Sequence, residues 1–389
     1  MILGIDASNI KGGGGSTHIN ELILNFHFND HNISKIIIWG SSATLSKINN
    51  YQWLIKISPK FLAHNSFVCL MWQKFLLSKA AKNEGCDLIF VPGGTFISNF
   101  RPFVTISQNM LPFENDEIKR FGFSRITIRL ILLRILQTRT FQKSNGIIFL
   151  TQYAKNKVTK VTGSLGAKLS VISHGINPQF FLQPRIQLHK TKFTFDNPIK
   201  IIYVSTIDHY KHQWKVIHAI SELRREGYPV SLKLVGSFIH SAKKRLIKSL
   251  NKFDKNNEWA SYIGLVPYKE LEDIYKHSDL AVFASSCENL PIILIEKMAS
   301  GLPIACSNKG PMTEVLGTSG MYFNPEKPSE IKQALIGLID NVDLRTKKSK
   351  DSFNKAQKYS WTKCSHKTFS FFEDVYFNYQ NSEKNKGLI

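Results

Sequence analysis

Residues 285–304 read SSCENLPIILIEKMASGLPI. They follow the apolar run Ala281–Ala284, which has the length and composition of a buried strand. Asn289 is a predicted N-cap, and Pro291 suits a first helical turn. Gly-Leu-Pro then closes the helical pattern, and Pro303–Cys306 reads as a second strand. Strand, loop, helix and strand in succession define an α/β unit with a parallel sheet.

The same alternation extends in both directions. Met1–Ile5 ends at Asp6, the glycine run Gly12 to Gly15 comes after it, and a helical pattern with Leu22, Ile23 and Phe26 comes next. Further strand candidates are Ile36–Trp39, Leu88–Val91, Val104–Ser107, Ile147–Leu150 and Leu169–Ile172. A second series comprises Ile199–Ser205, Val230–Val235, Ala260–Gly264 and Leu280–Ala284. Gln183 to Pro198 is polar, holds two prolines and has little periodicity. The expected organisation is a Rossmann-like domain over 1–185 and a linker over 186–198. A second Rossmann-like domain covers 199–350, and a helical tail over 351–389 packs back on the first. A ligand cleft between the halves, at the carboxyl ends of the strands, is expected of such a pair.

The chain has 389 residues, 43% of them hydrophobic and 21% charged, a globular composition that excludes long disorder. Its formal net charge is +22, which favours anionic partners: nucleic acid, an anionic membrane surface or a phosphate-bearing substrate. The five cysteines are odd in number and form no CxxC pair, so neither a disulfide framework nor a zinc site is expected. No signal-peptide pattern and no run of 18 apolar residues occurs, and the expected location is cytoplasmic. No RRM, KH or helix–turn–helix pattern is present, and a nucleic-acid partner is not expected.

Glu288 and Glu296 stand eight residues apart, roughly 12 Å along an axis if the chain between them were helical. That spacing suits one carboxylate on sugar hydroxyls, one on ribose hydroxyls, and phosphates at the helix end. An ordinary strand–loop–helix with two exposed glutamates has the same spacing. Glu288 and Glu296 with the following Lys-Met-Ala-Ser-Gly-Leu-Pro-Ile resemble the signature of family 4 retaining glycosyltransferases with the GT-B fold. Asn308-Lys-Gly-Pro-Met-Thr-Glu314, Phe149-Leu-Thr-Gln, Ser173-His-Gly-Ile-Asn177 and Tyr262-Ile-Gly-Leu-Val-Pro267 agree in order. The resemblance implies two facing Rossmann-like domains, a nucleoside-diphosphate-sugar donor held mainly by the second, retention of configuration, and no metal or other cofactor.

Carried over by position, Glu288 contacts the transferring sugar and Glu296 the donor ribose. Backbone N–H groups from Asn289 through Leu290 and Pro291 to Ile292 meet sugar or phosphate. Pro291 has no N–H, which departs from the family's usual Gly-Phe-Gly. In Tyr203-Val-Ser-Thr-Ile-Asp-His-Tyr-Lys-His212, Lys211 matches a diphosphate-facing lysine, while Thr206 stands where an arginine is usual. Lys211 would stabilise charge on the departing diphosphate. His209 and His212 lack the Cys or carboxylate pattern of a metal site. Asn109, where a His or Asp is common, and nearby Glu114 are sugar- or acceptor-side candidates. Gly14 and Gly15 would let backbone approach the donor phosphates or the acceptor.

The stretch FSRITIRLILLRILQTRTFQK, 123–143, bears on the acceptor. On a helix, Arg125, Arg129, Arg139 and Lys143 fall within about 80° of one another, with Leu132 and Leu136 among them. Basic residues around apolar ones suit the anionic inner face of a membrane, and a helix packed on its own sheet with a solvated basic edge gives the same pattern. The resulting expectation is hexosyl transfer to a glycan, with a lipid-linked surface-polysaccharide precursor as the expected acceptor. A sugar phosphorylase or synthase of the same fold, and a catalytically weak donor-binding subunit, are the alternatives.

Overall fold

The computed structural model describes residues 1–10, 12–63 and 66–387. The chain divides into two compact units: Met1–Gly175 with the segment from Ser360 onward, and Ile176–Tyr359. The boundary falls ten residues before the expected 185/186. Pro178–Phe180 forms a turn of the second unit, where Ser300 Oγ donates to the Phe180 carbonyl, so 176–185 packs with the second sheet's helices rather than with the first unit. The return at 359/360 leaves residues 351–359 in the second unit as well.

The first unit carries β1 (Ile2–Asp6), β2 (Lys35–Trp39), β3 (Leu54–Ile57), β4 (Leu88–Val91), β5 (Phe103–Ser107), β6 (Gly146–Phe149) and β7 (Lys168–Val171). All pair parallel in the order β3-β2-β1-β4-β5-β6-β7. Isoleucine-, leucine- and phenylalanine-rich strands are what a sheet covered on both faces requires. β4 and β5 are buried along their whole length. The C-terminal helix Trp361–Asn385 packs on the helix Gly13–Leu24 in this unit. Ser365 Oγ donates to the Leu22 carbonyl at 2.9 Å, and the Phe369 and Phe372 rings sit 4.3 and 4.8 Å from Phe26 and Phe90.

The second unit carries β8 (Ile199–Val204), β9 (Val230–Val235), β10 (Ala260–Tyr262), β11 (Leu280–Phe283), β12 (Ile304–Ser307) and β13 (Met321–Phe323). Their order is β10-β9-β8-β11-β12-β13, again parallel throughout. Strand order reverses between β8 and β11, and ligands of open α/β sheets bind outside the carboxyl ends of the strands at such a point. β3 and β13 are the strands absent from the sequence reading. Both are edge strands, half-buried along most of their length, so their sequences lack a continuous apolar run.

Candidate functional site

β8 ends at Val204, and the chain turns through one 3₁₀ turn, His209–Lys211. Asp208 caps that turn, its Oδ1 accepting from the His209 N–H at 2.6 Å. The buried Tyr203 donates its hydroxyl to the Lys211 carbonyl, which ties the turn to the strand. β11 ends at Phe283, and the loop to Pro291 lies beside the turn: the Ser286 N–H donates to the Tyr210 carbonyl at 2.8 Å. His212 adopts left-handed backbone geometry, φ 53°, and its Nε2 lies 3.0 Å from Ser286 Oγ. The two crossovers at the topological switch are thus clipped together.

This arrangement sets Lys211 Nζ directly on Glu288 Oε1. Both side chains are largely withdrawn from solvent, at 8% and 17% exposure, so their attraction is screened far less than a surface pair's. The Cβ that any other residue would bring to Gly236 would lie 2.1 Å from the Ser205 carbonyl oxygen, and φ there is 142°. Only glycine lets the end of β9 close on β8.

Glu288 precedes the helix rather than starting it. The helix runs Ile292–Ala299 with Pro291, not Asn289, at the N-cap position. The expectation of a helical spacer is therefore corrected: the chain from Glu288 to Leu290 is loop. The Ile292 N–H is also committed, donating to the Leu290 carbonyl at 2.9 Å. With no N–H on Pro291 either, this turn offers an anion fewer donors than the expected run from Asn289 to Ile292. Gly301, at φ 62°, ends the helix where a left-handed residue is needed.

Glu296 is only 2% exposed. Its Oε1 accepts from Tyr268 at 3.0 Å and its Oε2 from Tyr275 at 3.3 Å. Burial pushes the carboxyl up to about 7, against the lowering effect of the two tyrosine hydroxyls and of Lys297. Glu296, Tyr268, Thr206, Ser205, Ser237 and Gly236 line a pocket of about 200 Å³ whose remaining wall is apolar and includes Val204, Leu265 and Ile293. Thr206 Oγ1 lies 3.3 Å from Ser237 Oγ and brings no charge to it. Tyr268 and Tyr275 were not singled out in the sequence, although their seven-residue spacing puts them on one helical face. Lys297, wholly buried beside Glu296, was also missed.

Lys211, Glu288, Glu296 and Thr206 thus share one end of the second sheet. The remaining candidates belong to the first unit. The glycine run is not a loop there, because the helix begins at Gly13, and Gly14 and Gly15 form its first turn. Gln108, next to Asn109, lies 2.9 Å from His18 Nδ1 on that helix, so the glycine turn and the end of β5 adjoin. Asn109 Oδ1 accepts from the Leu111 N–H at 3.1 Å, which gives it a turn-forming role. Glu114 is buried and engaged by the Tyr153 hydroxyl and, at 3.0 Å, by Lys157 Nζ, so it fastens its loop to the helix Gln152–Thr162. Residues 125–143 form one helix capped by Ser124. Arg125, Arg129, Arg139 and Lys143 lie along it. Phe123, just before it, is exposed at 113%, and Ile128 and Leu132 at 61% and 56%. No helix among the described residues is long and apolar enough to cross a membrane. All five cysteines are buried and unbridged.

Two doubly wound parallel α/β units in one chain give the GT-B fold, with a lysine–carboxylate pair at the switch point of the second sheet. Residues 185–355 match the family described as Glycosyl transferases group 1. An uncharacterized glycosyltransferase of Methanocaldococcus jannaschii is 23% identical over 93% of this chain and 94% of its own length. An O-antigen chain mannosyltransferase of Escherichia coli is 25% identical over a shorter stretch, 30% of each chain. Among solved structures, Anabaena HepE in complex with UDP and glucose superposes with a TM-score of 0.68 at 16% identity, over 96% of this chain and 99% of that one.

Proposed function

We propose that this chain moves a hexosyl group from a nucleoside-diphosphate sugar to a glycan acceptor, with retention of configuration and without a metal ion. The observation that carries this reading is the buried Lys211–Glu288 pair at the switch point, beside the cavity that holds Glu296. A diphosphate brings negative charge, and the departing nucleoside diphosphate brings more. Lys211 meets that charge in a desolvated setting, where a fixed ammonium is worth more than in water. Glu288 orients Lys211 and has a second oxygen for the hydroxyls of the transferring sugar. Glu296 offers its carboxylate to the ribose hydroxyls in place of the two tyrosines.

In the step itself, the acceptor hydroxyl attacks the anomeric carbon from the side on which the phosphate leaves. The bond from that carbon to the phosphate oxygen breaks, and the freed phosphate oxygen takes the hydroxyl proton. The binding of UDP by HepE supports a nucleotide donor, and the likeness to an O-antigen mannosyltransferase supports a surface-polysaccharide acceptor. The basic helix at 125–143, with its exposed apolar residues, supports a lipid-linked acceptor reached at an anionic inner-membrane face. The uncharged Thr206 favours one second reading, a donor-binding subunit with little transfer of its own.

Turnover of a panel of nucleotide sugars with lipid-linked and free glycan acceptors tests the proposal, with EDTA present throughout. Lys211→Met and Glu288→Gln should each lower kcat by roughly 10²–10³-fold, the loss expected for removing one preorganised charge-stabilising group. Wild-type turnover in both variants would sink the site assignment. Donor binding with no transfer by the wild type would favour the binding subunit.

A further inference from the structure

Lys297 follows Glu296 on the helix Ile292–Ala299 and has no solvent exposure. Burying an amine is unfavourable unless the fold gives it partners. Here its Nζ donates to the Val204 carbonyl, the last residue of β8, at 3.1 Å. It also lies 4.9 Å from the Phe283 ring and 5.8 Å from the Tyr203 ring, within reach of a cation–π attraction. Tyr203 in turn holds the Lys211 turn through its hydroxyl. One buried nitrogen therefore links the helix bearing Glu296, the end of β8 bearing the Lys211 turn, and the end of β11 that leads to Glu288.

The charged and titratable groups facing Lys297 come from every neighbouring element: Glu296 on its own helix, Lys211 after β8, Glu288 after β11 and Cys306 on β12. Before a ligand arrives, the negative charge of Glu288 is largely answered by Lys211. An anionic ligand that engages Lys211 adds negative charge to the surroundings that Lys211 shares with the buried amine.

We propose that Lys297 is a positioning residue for the donor, holding the Lys211 turn against the Glu296 helix and taking up a proton when the anionic nucleotide enters. This rests on the donor assignment made above. Burial brings the Lys297 ammonium down to about 7, so near pH 7.5 the amine is mostly neutral and has room for a proton. Glu296, itself at about 7, would release its smaller protonated fraction when ribose hydroxyls claim the carboxylate. The net result above neutral pH is proton uptake on nucleotide binding.

Calorimetry of UDP, GDP and ADP binding in buffers of different ionisation enthalpy counts those protons directly. The wild type should take up protons with whichever nucleotide binds best, and its affinity should rise as pH falls from 9 to 7. Lys297→Met preserves the length and apolar bulk of the side chain and removes the nitrogen. It should bind that nucleotide about tenfold more weakly, with proton uptake lost. Its donor KM should rise far more than its kcat falls. Binding of none of the three nucleotides by the wild type would overturn the donor assignment together with this proposal. A wild type that binds without proton uptake overturns the Lys297 proposal alone, even if the variant does not fold. So does a folded Lys297→Met with wild-type affinity and proton count.

Discussion

Glu296→Gln separates what the buried carboxyl does for the fold from what it does for the donor. The substitution keeps side-chain volume, and the amide can serve both tyrosines: its oxygen accepts from one hydroxyl and its nitrogen donates to the other phenolic oxygen. What it removes is an ionisable group held up at about 7 against an ordinary 4.5. A carboxyl raised in the folded state binds its proton more tightly there than in the unfolded chain. Stability is then favoured below about 4.5 and is lost as pH rises towards 7. The gap corresponds to roughly 3 kcal/mol of destabilisation by pH 8, and to less than about 1 kcal/mol at pH 5. Glutamine escapes that penalty. With part of it offset by poorer hydrogen-bond geometry, the variant should gain about 2 kcal/mol at pH 8, a rise of roughly 4–8 °C in Tm. Thermal melts at pH 8 and pH 5 read this directly, with the gain confined mainly to pH 8. Nucleotide affinity should move the other way, by roughly 10- to 100-fold, because charged hydrogen bonds to the ribose hydroxyls become neutral ones. A variant that melts below the wild type at pH 8 would refute the burial argument. Unchanged affinity for a ribonucleotide would refute the ribose role, whatever the melts show.

Neutralising Arg125, Arg129 and Arg139 to glutamine should reduce co-sedimentation with anionic vesicles by at least about tenfold, at roughly 1 kcal/mol per basic residue near such a surface; sedimentation equal to the wild type's would remove the membrane face from the proposal. Gly236→Ala should lower unfolding free energy by about 3 kcal/mol or more, since the new methyl meets the Ser205 carbonyl at 2.1 Å; urea denaturation showing a loss under about 0.5 kcal/mol would mean that β8 and β9 separate there at little cost.

The fold was legible in the sequence wherever a strand is central. Ile36–Trp39, Leu88–Val91 and Leu280–Phe283 carry continuous apolar runs because helices cover both faces of their sheets. Leu54–Ile57 and Met321–Phe323 sit at sheet edges, where one side lacks a neighbour and the burial pressure on sequence is weaker. The Lys211–Glu288 pair was legible for another reason. Glu288 and Lys211 each follow a central strand, and the topology delivers the ends of those strands to one place. Glu114 shows the limit: its position in a polar loop after β5 suggested a ligand, but its partners Tyr153 and Lys157 come from a helix about 40 residues later. Nothing local to 104–114 announces that contact. Asn109 is similar in that the short-range bond to Leu111 that gives it a turn role is available to almost any asparagine in a loop.

Glu296 and Lys297 together explain why the chemistry at the switch point of the second sheet is harder to read than its position. Each is a charged residue on a helix with an apolar surround, a pattern that normally places the charge at the solvent edge. Both are buried instead, and their titrations oppose one another. The raised carboxyl lowers stability as pH climbs from about 4.5 to 7, while the depressed ammonium restores it as pH climbs from 7 towards 10.5. Their joint contribution is therefore least favourable near neutrality, the range in which an anionic donor would recharge both groups. A core built only for stability would place methionine or leucine at these positions. Two ionisable groups left side by side, one bonded to tyrosines and the other to the end of β8, make physical sense as a site whose electrostatics are completed by its ligand.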